Sequence, residues 1–294
     1  MRAAGLLALA LATSLSALHA APVNRTSFLT SDGVRLHVVE AGQGRPGQPV
    51  VAFVPGWSMP ASIWASQLEA LAKTHKVVAL DPRGQGESEI AAGGYSTERR
   101  AKDLHDFIGR YAPVVLVTWS LGSLEALQYV HDHGDGEVRA LVIVDSSIGE
   151  GPAPPPRPAG ALGFQDELRR DRVNVVDEFV RGMFRHPQPD WWIDSLKNSV
   201  LRMPLEASLS LFPGDRIPRE RWRDTVNAFS RPLLYVVTPP LASQAQSLKA
   251  HRPATEIEVF EGAGHALFID EPERFAALLA GFLRRNGFAP PPAD

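Results

Sequence analysis

The sequence of 294 residues contains no cysteine. Disulfide bonds, thiol nucleophiles and cysteine-ligated metal sites are therefore excluded for this chain. Its stability has to come from a packed core, and a chain of this length with 44% hydrophobic residues can form one.

An excess of basic residues is also absent, because the formal net charge is −3. A nucleic-acid partner is therefore not expected. The glycine-rich residues 81–88, Asp-Pro-Arg-Gly-Gln-Gly-Glu-Ser, lack the Lys-Ser/Thr pair of a phosphate-binding loop. We interpret them as a turn beside a site, and we expect neither a nucleotide nor a metal cofactor.

Long apolar segments are missing after residue 21, so no stable membrane anchor is expected. Residues 1–20 differ from the rest: Arg2 is their one formal charge, Leu6–Leu18 is rich in Leu and Ala, and Ala20 precedes another alanine. This three-part pattern predicts a cleaved signal peptide and a secreted or periplasmic protein. The alternative is an N-terminal membrane anchor, for which the apolar run is short.

Short apolar strands alternate with helical patterns along most of the chain. This alternation predicts an α/β fold with a mostly parallel, doubly wound sheet whose site lies at the carboxyl ends of the strands. The predicted strands are Ser27–Thr30, Val34–Glu40, Val50–Val54, Lys76–Leu80, Val114–Val117, Arg139–Val144, Leu233–Val237 and Glu256–Phe260.

The composition changes at residues 151–158, where prolines exclude both helix and sheet. Helical patterns without a convincing strand follow as far as residue 230. We therefore predict a helical cap over residues 151–230, inserted into a core formed by residues 21–150 and 231–294.

A serine follows one of the predicted strands at a sharp strand-to-helix corner. Ser120 comes directly after an apolar strand, and helical spacing begins at Leu121. The arrangement is typical of a nucleophile elbow, written Gly-x-Ser-x-Gly, although Thr118 replaces the first glycine and Gly122 keeps the second. The alternative role for Ser120 is that of a helix N-cap.

Four motifs in order make the chain resemble the α/β-hydrolase fold superfamily, as a serine-nucleophile member with a helical cap. They are the elbow at Ser120, the turn Pro55-Gly56-Trp57, residues 81–88, and Gly-Ala-Gly-His ending at His265. The resemblance covers residues 26–287. It implies that His265, on the loop after the last strand, takes the proton of Ser120.

The same resemblance implies an oxyanion hole formed by the backbone N–H groups of Trp57 and Leu121. Many relatives have His-Gly where this chain has Pro55-Gly56. Because the donor is a backbone group, the exchange need not abolish the hole.

The third member of the triad is missing from its usual place. Most relatives carry an Asp after the strand at residues 232–237, but residues 231–255 contain no Asp or Glu. Some capped members carry the acid one strand earlier, and Asp145 occupies that position. Asp145 is therefore expected to orient His265. The alternatives are that Asp145 only caps a turn, or that Ser120 and His265 act as a dyad with water.

These features together predict a serine hydrolase that acts on a small-molecule carboxylic ester. A lactonase, an amidase, a cofactor-free perhydrolase and a binding protein without catalysis remain alternatives. The sequence specifies no oligomeric state. Large apolar residues of the cap are predicted either to line a pocket for an acyl or aryl group or only to pack the cap against the core; they are Phe179, Met183, Phe184, Trp191 and Trp192.

Overall fold

The computed structural model of the chain describes residues 23–153 and 162–289. The predicted signal peptide and part of the proline-rich stretch lie outside these residues. Within them, no helix combines the length and the apolar character that a membrane span requires.

Eight strands form one sheet, in the order β1-β2-β4-β3-β5-β6-β7-β8. The pairs β1–β2 and β2–β4 are antiparallel, and every other neighbouring pair is parallel. The predicted α/β class with a mostly parallel sheet is confirmed. The strands are β1 Val23–Leu29, β2 Arg35–Ala41, β3 Val50–Val54, β4 Val77–Asp81, β5 Val114–Trp119, β6 Val138–Val144, β7 Leu233–Val237 and β8 Glu256–Val259.

Helices cover both faces of this sheet, as a doubly wound fold requires. Apolar residues of α1 and α11 are buried in one core, and those of α2, α3, α8 and α9 in the core on the other face. The helices are α1 Ala65–Leu71, α2 Thr97–Tyr111, α3 Leu121–His133, α4 Phe164–Arg170, α5 Arg172–Gly182, α6 Asp190–Arg202, α7 Leu205–Ser210, α8 Arg219–Ala228, α9 Ala242–His251, α10 Leu267–Asp270 and α11 Pro272–Arg285.

The helical segment between β6 and β7 contains two different parts. Helices α4 to α7 pack with the core on the side of α1 and α11. Helix α8 instead buries Trp222 and Val226 in the core on the other face of the sheet, beside α3. We therefore propose that the cap consists of α4 to α7 and that α8 belongs to the α/β core.

Strand β5 occupies the middle of the sheet, between β3 and β6, and all six of its residues are buried. Its pairing brings Trp119 beside Val144 on β6. The Ser120 N–H continues this ladder by donating to Val144 O at 3.0 Å, and Asp145 N–H donates to Val236 O on β7 at 2.8 Å. The residues that follow β5, β6 and β7 are consequently held side by side at the carboxyl edge.

Candidate active site

Ser120 lies in a backbone conformation that side chains rarely adopt. Its φ is 53° and its ψ is −124°, and it joins the end of β5 to the first residue of α3. The sharp turn projects the side chain away from the sheet, as in a nucleophile elbow. The Ser120 side chain makes no capping hydrogen bond to the helix, so the structure does not support the alternative role as an N-cap.

Close backbone packing explains the small residues around this turn. A Cβ atom on Gly122 would lie 2.5 Å from Pro55 O, and one on Gly56 would lie 3.1 Å from the Cβ of Ser120. Thr118 is accommodated in the position of the first motif glycine because its buried hydroxyl has partners. It donates to Val142 O at 3.1 Å and lies 2.9 Å from the hydroxyl of Ser123.

The imidazole of His265 lies between Ser120 and Asp145. Its Nε2 is 3.0 Å from Ser120 Oγ, and its Nδ1 is 2.7 Å from Asp145 Oδ2. These distances allow a hydrogen bond on each side of the ring. A neutral imidazole that donates through Nδ1 to the carboxylate leaves Nε2 free to accept the proton of the serine hydroxyl.

The loop that carries His265 is attached both to the elbow strand and to the cap. Trp119 donates its indole N–H to His265 O at 2.9 Å, and its ring packs on the imidazole. Ala266 N–H donates to Met183 O at 2.9 Å. A Cβ on Gly264 would lie 2.7 Å from the same carbonyl oxygen, so glycine is required where the loop approaches the cap.

Asp145 is buried directly after β6 and has a φ of 41°. Its Oδ1 accepts hydrogen bonds from Thr238 N and Thr238 Oγ1, both at 2.7 Å, which leaves Oδ2 for His265. Thr238 follows β7 directly, where most members of the superfamily carry the acid. In this chain that position supplies two donors to the carboxylate of the preceding strand.

Two backbone N–H groups border the space in front of Ser120. Within the described ranges, neither Trp57 N–H nor Leu121 N–H has a protein acceptor. Leu121 opens α3, where the N–H groups are free of helical partners and the dipole favours negative charge. The Trp57 indole donates to Ser208 O at 2.7 Å, which holds this residue under the cap.

A cavity of about 360 Å³ opens onto Ser120 and His265. Its roof is aromatic, since the ring of Trp57 packs at 5.1–5.4 Å between centroids against three phenylalanines of the cap, Phe164, Phe179 and Phe212. The other lining residues are Leu121, Leu124, Asp145, Ser146, Ser147 and Pro213. Such a cavity favours a small apolar or aromatic group.

Only one of the large cap residues that the sequence suggested reaches this cavity. Phe179 lines it, whereas Met183 is buried in the core. Phe184 and Trp192 pack on each other, and Trp191 is 74% exposed. For these four residues the pocket alternative is corrected. Met183 and Phe184 directly follow α5 and pack with the core, and on α6 Trp192 also packs there whereas Trp191 faces solvent.

Sequence reasoning missed Phe164 and Phe212, which do line the cavity. Phe164 is the first residue of α4, and Phe212 follows α7 just before Pro213. Both lie at helix ends, where periodicity gives no direction for a side chain. An aromatic residue next to a Pro-Gly turn was the available signal for Phe212.

A buried arginine–glutamate pair lies behind the elbow. Glu125 on α3 is fully enclosed, and burial raises its pKa to about 7 although the charge of Arg100 opposes the shift. The two side chains approach to 3.0 Å between Arg100 Nη2 and Glu125 Oε1. Among the described residues, no three His, Asp or Glu side chains come close enough together to hold a metal ion.

Comparisons with known proteins agree with this architecture. The chain is 35% identical over 277 residues to a non-heme chloroperoxidase from Kitasatospora aureofaciens, covering 87% of this chain and 98% of that protein. It is 29% identical over 257 residues to a pimeloyl-[acyl-carrier protein] methyl ester esterase from Vibrio vulnificus, covering 84% and 97%.

Among solved structures, an esterase from Exiguobacterium antarcticum superposes with a TM-score of 0.74 at 21% identity, covering 88% of this chain and 99% of that one. The sequence profile described as the alpha/beta hydrolase family matches residues 51–278. With a match over most of its length, this chain belongs to the alpha/beta hydrolase family.

Proposed function

We propose that the protein is a serine hydrolase that cleaves carboxylic esters through a triad of Ser120, His265 and Asp145. The observation that carries this proposal is the unbroken series of hydrogen-bond distances, 3.0 Å and 2.7 Å, from the serine hydroxyl through the imidazole to the carboxylate. These are the contacts that activate a serine, which is otherwise a weak nucleophile.

The reaction proceeds in two halves. His265 Nε2 takes the proton of Ser120 as Oγ attacks the acyl carbon, and the carbonyl oxygen becomes an oxyanion that accepts hydrogen bonds from Trp57 N–H and Leu121 N–H. The imidazolium then protonates the leaving alkoxide, which departs as the alcohol. Water attacks the acyl-enzyme by the same route, so that the acid is released and Ser120 Oγ recovers its proton.

Asp145 holds the imidazole in the tautomer that this cycle needs and stabilises the imidazolium that forms. The two donors from Thr238 support this role, because they fix one carboxylate oxygen and direct the other towards His265. A dyad of Ser120 and His265 with water would not require the 2.7 Å contact between Asp145 and His265.

The aromatic roof supports small esters with an apolar acyl or aryl group as substrates. The cavity of about 360 Å³ suits a compact group better than a long chain. A binding protein without catalysis would not need the strained φ of 53° at Ser120.

Perhydrolysis is the second candidate, because the relative at 35% identity is named a chloroperoxidase. The chemistry differs only in the second half, where hydrogen peroxide instead of water attacks the acyl-enzyme. That step releases a peracid and returns the proton to Ser120 through His265.

We further propose that residues 1–20 are removed and that the protein acts outside the cytoplasm. N-terminal sequencing of the protein from its native host tests this, with a mature chain beginning near Ala21 as the expected result. An intact Met1 on cytoplasmic material would refute it.

A panel of p-nitrophenyl and phenyl esters of increasing acyl length, assayed with and without hydrogen peroxide, tests the function. We expect hydrolysis that is fastest for short or aromatic acyl groups. Peracid formation at a rate that rivals hydrolysis would identify the second candidate. No turnover of any ester by folded wild-type protein would refute the proposal.

A further inference from the structure

Gln85 lies fully buried beneath the loop after β3 and binds both ends of one turn. Its Nε2 donates to Gly56 O at 3.1 Å and to Met59 O at 2.8 Å. The turn is closed by Met59 N–H, which donates to Gly56 O at 3.2 Å, and its third residue, Ser58, has a φ of 54°. A non-glycine residue in this conformation is strained, so the turn needs support from outside.

The orientation of the Gln85 amide is fixed by a charge behind it. Arg100 Nη2 donates to Gln85 Oε1 at 3.0 Å, and a guanidinium can only donate. The amide therefore cannot rotate by half a turn without placing its own N–H groups against those of Arg100. Glu125 on α3 holds the guanidinium in turn, so two helices of the core define where the amide points.

The hydrogen bonds of Gln85 determine the direction of a proposed catalytic donor. The peptide bond between Gly56 and Trp57 is trans and planar, so Trp57 N–H points away from Gly56 O. Gln85 holds that oxygen on its own side of the loop. The elbow lies beside this peptide bond, since a Cβ on Gly56 would lie 3.1 Å from the Cβ of Ser120 and Trp57 lines the same cavity as Ser120.

We propose that Gln85 is a positioning residue that aims Trp57 N–H at the oxyanion, and that Arg100 and Glu125 keep Gln85 in place. The proposal rests on the function proposed above, in which Trp57 N–H is an oxyanion donor. It gives residues 81–88 a role in the reaction in addition to that of a turn. Oxyanion donors act on charge that develops only in the transition state, so a misdirected donor lowers kcat more than it raises KM.

The test compares Gln85→Met with Gln67→Met. Both glutamines are fully buried and donate to backbone carbonyls, but Gln67 donates to Phe268 O at 2.7 Å and not to a carbonyl of the turn. Each variant is assayed for kcat and KM, for melting temperature, and for inhibition by an aryl trifluoromethyl ketone and by the matching carbinol. The ketone forms a tetrahedral oxyanion with Ser120, whereas the carbinol cannot.

For Gln85→Met we expect kcat to fall roughly 10- to 100-fold, somewhat less than the cost of removing an oxyanion donor outright. The inhibition constant of the ketone should rise by the same factor, while that of the carbinol and KM stay near parental values. Gln67→Met should lower the melting temperature but leave kcat and the inhibition constant of the ketone near parental values. If Gln85→Met does not fold, Arg100→Lys decides the question, with a smaller but parallel loss of kcat and ketone affinity expected.

Equal losses of ketone and carbinol affinity, or a parental kcat in folded Gln85→Met, would overturn the proposal for Gln85. These results are distinct from failure of the proposed function, which would appear as wild-type protein that neither hydrolyses esters nor binds the ketone.

Discussion

At the scale of single residues, backbone strain is concentrated at the candidate site. Among the described residues, three that are not glycine have a positive φ: Ser58, Ser120 and Asp145. Each such residue costs about 1–3 kcal/mol and persists only where its surroundings enforce it. Ser120 and Asp145 follow adjacent central strands, and Ser58 follows the proposed donor Trp57. The strained residues therefore lie at the three places where the proposed chemistry requires a side chain or a backbone N–H to point in one particular direction.

Asp145→Asn is expected to lower kcat by up to about 10⁴-fold with little change in melting temperature. Thr238 still donates to the remaining oxygen, so the new amide directs its N–H₂ at His265 Nδ1. The imidazole must then carry its proton on Nε2 and can no longer accept the proton of Ser120. Steady-state kinetics with a p-nitrophenyl ester measures the loss.

Asp135→Asn is the matched control for this substitution. Asp135 also accepts hydrogen bonds from the backbone N–H and the hydroxyl of one residue, Ser230, but it does not touch His265. Its kcat should remain parental. Near-parental activity in Asp145→Asn would contradict the triad and favour a dyad.

At the scale of secondary-structure elements, the elbow depends on how closely α3 approaches the loop after β3. A Cβ on Gly122 would lie 2.5 Å from a backbone oxygen that cannot move aside easily. Gly109, within α2, has no atom within 4 Å of such a Cβ. Both glycines lie in helices, but only at Gly122 does close packing leave no room for a side chain.

Gly122→Ala should destabilise the protein by about 1–3 kcal/mol through overpacking, and it should also lower activity because Ser120 is displaced. Gly109→Ala should stabilise it by about 0.5–1 kcal/mol, since alanine is the better helix former. Urea unfolding measures both. Equal effects on stability would show that the close approach at Gly122 does not matter.

The cap gives a prediction about the substrate. Phe179→Ala removes part of the aromatic roof and should raise KM for aryl esters about 10-fold, as expected for losing 1–2 kcal/mol of apolar contact. Trp191→Ala is the control, because this residue is 74% exposed and does not line the cavity. A larger effect on KM from Trp191→Ala than from Phe179→Ala would contradict the assignment of the roof.

The strands could be predicted from the sequence to within a few residues because buried parallel strands require continuous apolar runs. Leu233–Val237 illustrates this, since the prediction and β7 coincide. The helical patterns of the predicted cap did not reveal the break at Asp171, which ends α4 and caps α5. Apolar spacing continues across the break, so periodicity could not reveal it. Side-chain directions in the cap could not be predicted either, because an apolar side chain there can be buried against the core or can line the cavity.

At the scale of the whole molecule, one apolar core lies on each face of the sheet. Some polar side chains are buried as well. Glu125 is the clearest example, because its pKa is raised to about 7 from an ordinary value of 4.5, mainly by burial. The native state thus binds a proton that the unfolded chain has released over this interval. The contribution of Glu125 to stability is fully present below pH 4.5 and is lost as the pH rises through about 7.

Replacing this group should alter how stability depends on pH. The wild-type free energy of unfolding contains a contribution that falls by up to about 1.4 kcal/mol per pH unit between the two pKa values. Glu125→Gln removes that contribution, so the difference between variant and wild type should shift in favour of the variant from pH 4.5 to 7. Urea unfolding at several pH values measures it. A difference that stays constant over this interval would contradict the raised pKa.

A fluorophosphonate probe, whose adduct is located by peptide mass spectrometry, tests whether Ser120 is the nucleophile of a serine hydrolase. Ser146 and Ser147 line the same cavity and serve as internal controls. We expect a single adduct on Ser120, and neither labelling nor ester hydrolysis in folded Ser120→Ala. An adduct on Ser146 or Ser147, or parental ester hydrolysis by Ser120→Ala, would contradict it.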